Sequence, residues 1–76
     1  MDKREVAAGV LARLGGVPAG ELRPEMELVA DLGIDSPKAL ELLVELEEAL
    51  GVEISDEDAA RMETVGDVFD YAAALA

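Results

Sequence analysis

Between Lys3 and Leu14 the apolar residues Val6, Ala7, Val10, Leu11 and Leu14 fall on one stripe of a helix, and the pair Gly15-Gly16 ends it. A long connection follows, "GGVPAGELRPEMELVADLGID", with two prolines and with Met26, Leu28, Leu32 and Ile34 as apolar anchors. Connections longer than about 12–15 residues inside compact domains are ordered by such anchors and often carry function. This one is expected to pack across the helices and lead into the site. The next pattern predicts a second helix from Ser36 to Leu50, with Ser36 at its cap and Pro37 at the first helical position, where a missing N–H costs nothing. Gly51 stops it. In the acidic segment "ISDEDAARM", Ser55 or Asp56 can cap about two turns of helix. Thr64 then opens a final helix, Val65 to Leu75, with the stripe Val65, Val68, Phe69, Ala72 and Leu75. No strand alternation, internal repeat or low-complexity tract interrupts the pattern. The expected fold class is all-α, a small bundle of three main helices plus one short helix.

The second helix has two faces. Advancing about 100° per residue from Ser36, Ala39, Leu42, Leu43, Leu46 and Leu50 gather on one stripe, the core face. Leu40 and Val44 do not join them. They lie about 60–160° from the centre of that stripe, beside Pro37, Glu41 and Glu48, so an apolar strip flanked by acids faces outward below the serine. Single exposed apolar residues carry no message, but two on one line beside carboxylates have the makings of a docking surface.

Composition narrows the reading. Seventy-six residues are expected to form one small domain, residues 1–76, with a lean core, since a chain of this size buries only roughly 60% of its unfolded surface. With no Cys and no His, neither a disulfide framework nor a zinc site of Cys/His type is available, and helix packing has to suffice. No apolar run of membrane-spanning length and no cleavable signal pattern appears, so a cytoplasmic location is expected. The net charge of −12 is unevenly spread: residues 1–30 hold five acids and four bases, residues 31–76 thirteen acids and two bases. Such a second half repels phosphate backbones and anionic lipid, which argues against nucleic-acid and membrane partners and for proteins with basic patches.

Ser36 is the residue that invites chemistry. A catalytic serine needs a base and a group to orient that base; there is no histidine, and Lys38, two residues on, points about 200° around the axis. Paired acids for glycosidase-type chemistry lack the walls of a cleft that would raise a carboxyl pKa. Asp31, Gly33 and Asp35 fit positions 1, 3 and 5 of a calcium loop, but Ser36 stands where glycine is needed and Leu42 where glutamate is needed. No enzyme and no metal site is therefore expected. The plainest reading left is an N-cap contributing about 1 kcal/mol.

The stretch "LGIDSPKALELLVELEEALGVEI", Leu32 to Ile54, resembles the heart of an acyl carrier protein, in which a serine following aspartate opens the second helix. The first helix, the long loop, "EISDEDA" and "TVGDVFDYAAAL" also stand in family order. The resemblance implies that a phosphopantetheinyl transferase esterifies Ser36 with 4′-phosphopantetheine, whose thiol carries acyl groups as thioesters; a chain without cysteine leaves that chemistry to a cofactor. It places Asp35 beside the attachment point. The incoming phosphate suits the free N–H groups and dipole of the helix N-terminus, while Asp31 and Asp35 repel it and are expected to help the transferase and its metal dock.

Carried over position by position, the family's docking face gives Asp35, Glu41, Glu47 and Glu48 as charge contacts and Pro37, Leu40 and Val44 beside them, for acyltransferases, ketosynthases or acyl-activating enzymes with basic patches. Short acyl chains tucking between helices would meet Leu46, Ile54, Ala59 and Met62, which equally suit an ordinary core. Two residues depart from the pattern: Pro37 stands where the family has leucine and Lys38 where it has an acid. Both favour dedicated partners, as in polyketide or other specialised pathways, over general fatty-acid machinery. The expected function is a discrete, monomeric acyl carrier. Its rivals are an amino-acyl or peptidyl carrier, and an interaction module in which Ser36 only caps.

Overall fold

The computed structural model describes residues 2–75 and consists of four α-helices: α1 (Lys3–Gly15), α2 (Ser36–Leu50), α3 (Asp56–Ala60) and α4 (Val65–Ala74). A 3-10 turn, Ala19–Glu21, lies in the long loop. The expected all-α bundle of three longer helices and a short one is what forms, and the apolar stripes explain why. From α1 come Ala7, Val10 and Leu11, from α2 Leu42, Leu46 and Leu50, and from α4 Val65, Val68 and Ala72; all are buried in one cluster. The first helix packs against both α2 and α4.

The helix ends follow local chemistry. Asp2 caps α1, its carboxylate accepting from the Arg4 amide at 2.8 Å, and Gly16 closes it. Gly51 sits at φ 70°, where a side chain would be strained, and its N–H donates to the Glu47 carbonyl, finishing α2. Ser55 caps α3, which has five residues and so little more than one turn rather than the two expected. Past Ala60 the chain turns Met62 inward instead of continuing outward as an acidic helix; Met62 packs against the core.

The long loop is held as the anchors predict: Leu28, Leu32 and Ile34 are buried, and Met26 is half-buried against them. A second restraint was not legible in the pattern. Three backbone hydrogen bonds tie the loop to the start of α4: Leu28 N–H to the Glu63 carbonyl at 2.9 Å, Val65 N–H to Met26 at 2.9 Å, and Gly66 N–H to Pro24 at 2.9 Å. The loop and the entry to α4 behave as one ladder-like joint, with Glu27 and Thr64 forming an isolated antiparallel bridge.

That joint depends on a capping box. The Thr64 hydroxyl accepts from the Asp67 amide at 3.1 Å, and the Asp67 carboxylate accepts from the amides of Thr64 at 3.1 Å and Glu63 at 3.0 Å. These amide bonds, that from Glu63 first, hold the Asp67 carboxyl below its ordinary range. A depressed carboxyl pKa stabilises the fold above the unfolded-state value and loses that contribution as pH falls through the folded-state value. Asp67→Asn is therefore expected to cost on the order of 1 kcal/mol at neutral pH. The gap to the parent should shrink as pH drops below about 4. Urea denaturation of both proteins across pH checks this; a pH-independent gap would count against the carboxylate's role.

Candidate functional site

The segment "DLGIDSP" is delivered to the surface by alternation of buried and exposed positions. Leu32 and Ile34 are buried, and Gly33 between them takes φ 67°, turning the chain sharply enough to seat both side chains in the core. Asp35 and Ser36 then emerge at the surface, both exposed. The Asp35 amide donates to the Gly33 carbonyl at 3.1 Å, closing the turn.

Here the structure corrects the sequence reading. The cap of α2 is Asp35, not Ser36: the Asp35 carboxylate accepts from the Lys38 amide at 3.2 Å, and its carbonyl accepts from Ala39 at 2.7 Å. Ser36 is the first residue inside the helix and Pro37 the second. Of the amides in this first turn, Pro37 has none, those of Lys38 and Ala39 are engaged, and that of Ser36 has no partner among the described residues. The tip offers an anion the helix dipole and one free N–H, fewer donors than a bare helix end would.

The correction changes what the hydroxyl is free to do. The chain has three aliphatic hydroxyls, Ser36, Ser55 and Thr64. Ser55 is bound to the Asp58 amide at 3.1 Å and Thr64 to that of Asp67 at 3.1 Å. Among the described residues, Ser36 Oγ has no hydrogen-bond partner. It is exposed, held at a helix start capped by Asp35, and uncommitted.

Below it lies the outward face. Leu40 is 68% exposed and Val44 51%, flanked by exposed Pro37, Glu41 and Glu48; the predicted strip is present. Glu47 is placed differently from a free charge contact. It is half-buried, and its Oε2 accepts from the Ile54 amide at 2.8 Å, bracing the chain after α2. Glu45, on the other flank, pairs with Arg13 of α1. Asp31 is also engaged, its carboxylate accepting from the Glu27 amide at 2.7 Å.

An apolar cleft of about 90 Å³ opens beside α2, between Leu28, Val29 and Ile34 of the loop, Ala39 and Leu43 of α2, and Ala59 and Met62 beyond it. Two of the four residues expected to line an acyl site, Ala59 and Met62, border it. Leu46 instead is wholly buried in the core and Ile54 packs on its edge. Val29, 68% exposed at the mouth, is not among the loop residues that the sequence points to. Among the described residues no group of His, Cys, Asp or Glu is placed to hold a metal ion, and no helix is long and apolar enough to cross a membrane.

Comparison with known proteins points one way. Residues 5–72 match the family described as the phosphopantetheine attachment site. An acyl carrier protein of Syntrophobacter fumaroxidans is 48% identical over 64 residues, covering 84% of this chain and 79% of that protein. One from Helicobacter pylori strain G27 is 48% identical over 62 residues, covering 82% and 80%. Among solved structures, a Mycobacterium tuberculosis chain ascribed to the acyl carrier proteins superposes with a TM-score of 0.85 at 34% identity, covering 97% of this chain and 99% of that one. The acyl carrier protein of Enterococcus faecalis gives 0.78 at 34% identity, with both chains covered in full.

Proposed function

The chain belongs to the acyl carrier protein family, whose members bear covalently attached 4′-phosphopantetheine, and from that premise we propose that Ser36 is the attachment point and that the protein presents acyl groups to enzymes of a specialised, polyketide-type pathway. The observation that carries the assignment is the unengaged, exposed Ser36 hydroxyl beside two hydroxyls already spent as helix caps. The attached arm supplies the thiol that a chain without cysteine lacks.

What the polypeptide contributes is position and recognition. Asp35 fixes the turn and the first helical amides, so the Ser36 oxygen stands at one place relative to α2. Leu40 and Val44 give a partner a small apolar seat, and Glu41 and Glu48 set charge around it. A seat this small, rimmed by carboxylates, suits brief encounters: rim charges chiefly raise association rates and lose force in salt. The fitting partners are a phosphopantetheinyl transferase and acyltransferases, ketosynthases or acyl-activating enzymes with basic docking patches. Pro37 and Lys38, neither of them the family's usual residue, support dedicated partners.

Co-expression with a broad-specificity phosphopantetheinyl transferase, followed by intact-mass measurement and peptide mapping, tests the assignment: one adduct on the peptide containing Ser36 is expected, and a wholly unmodified chain would overturn it. Protein from its native cell would carry its cargo as a thioester, identifiable by mass. The docking face has its own test. Glu41→Lys combined with Glu48→Lys is expected to slow loading by roughly tenfold at low salt with the circular dichroism spectrum unchanged; equal rates would remove the charge argument.

A further inference from the structure

Three of the six basic side chains are employed within the molecule. The Lys3 ammonium donates to the Leu50 carbonyl at 3.4 Å at the end of α2, and the Arg4 guanidinium lies over the Phe69 ring, 5.7 Å from its centre. Arg13 pairs with Glu45, and Arg61 borders a cleft lined by Asp58, Asp67 and Asp70. Arg23 stands in the loop before Pro24. Lys38 is the one base on α2, a helix with four glutamates, and it is exposed with no ion-pair partner among the described residues.

Its location gives that charge a consequence. Lys38 points about 200° around the axis from Ser36, but it is a surface neighbour of Glu41, three residues on, so an enzyme that docks on the strip of Leu40, Glu41 and Val44 meets Lys38 at its edge. A docking surface made uniformly basic to match Glu41 and Glu48 would set a cation against Lys38 at each productive encounter. Like charges across an interface suppress the wrong partner without strengthening the right one.

We propose that Lys38 is a selectivity charge: it turns away enzymes whose carrier-docking surface is uniformly basic and favours partners that place a carboxylate opposite it within an otherwise basic patch. This rests on the carrier reading above and adds to it the chemistry of the partner's surface. Because Lys38 donates only its backbone amide to the cap, side-chain substitution leaves the turn intact, and glutamate in the first turn agrees with the helix dipole.

The test uses the full chain and a broad-specificity phosphopantetheinyl transferase with a basic docking surface, with loading of the parent, Lys38→Met and Lys38→Glu followed by mass over time. Lys38→Glu is expected to load with roughly three- to tenfold higher kcat/KM at low salt. Lys38→Met should fall between, and high salt should close the gap. In a series of transferase variants with single Lys or Arg residues of the patch changed to Glu, one should reverse the order and prefer the parent. Equal kcat/KM for all three carriers at low salt, or a gap that salt does not narrow, overturns the proposal while adducts on all three leave the carrier reading standing. No adduct on any of them, the parent included, overturns both.

Discussion

Ser36→Ala is expected to abolish the phosphopantetheine adduct completely and to leave the thermal midpoint almost where it was. The two halves of this result come from one observation: the Ser36 oxygen makes no bond within the described chain, whereas the neighbouring Asp35 carboxylate caps α2 through the Lys38 amide. Removing the hydroxyl deletes the only proposed attachment atom and no structural contact. Asp35→Ala is expected to behave the opposite way. It should still be modified but lose about 1 kcal/mol, the usual cost of a missing N-cap, which for a domain of this size lowers the midpoint by about 4–8 °C. Intact mass and a thermal melt on both variants decide the matter. A surviving adduct in Ser36→Ala, or equal destabilisation of the two, would contradict the assignment of roles.

Leu46→Ala should have the largest effect on the fold. The side chain is 0% exposed, in the middle of the α2 stripe that meets the buried residues of α1 and α4. Truncating such a leucine costs about 2–5 kcal/mol, through lost transfer energy and the cavity left behind. At the usual stability per residue a chain this long has only about 4–11 kcal/mol in all, and neither disulfide nor His/Cys metal site is there to share the load. The expected fall in midpoint is on the order of 10–30 °C. Leu40→Ala, on the same helix but 68% exposed, should shift it by no more than a few tenths of a kcal/mol. Similar melts for the two would mean that α2 is not seated by this face.

The helices were legible because their apolar residues recur with helical period, and the period alone separated inward Leu42, Leu46 and Leu50 from outward Leu40 and Val44. Capping was legible in kind but not always in register. "DSP" fits a helix begun at either of its first two residues, since Asp and Ser both cap well and proline is tolerated anywhere before the first intrahelical donor. What selects Asp35 is the turn behind it, with Gly33 in the left-handed region between two buried side chains. That is tertiary information. The same holds for the bonds joining Pro24, Met26 and Leu28 to the start of α4, for the bracing of Ile54 by Glu47 and for Val29 at the mouth of the cleft. None leaves a periodic trace. Nor did periodicity pick out Ser36 among the three hydroxyls; resemblance did, and the structure adds that the other two are occupied.

The division of labour between Asp35 and Ser36 has a consequence for how such a protein is handled. Since the Ser36 oxygen makes no bond within the described chain while Asp35 caps the helix, esterifying it would break no existing contact of α2. On that assignment the arm can be added to or removed from a helix start that Asp35 already holds closed.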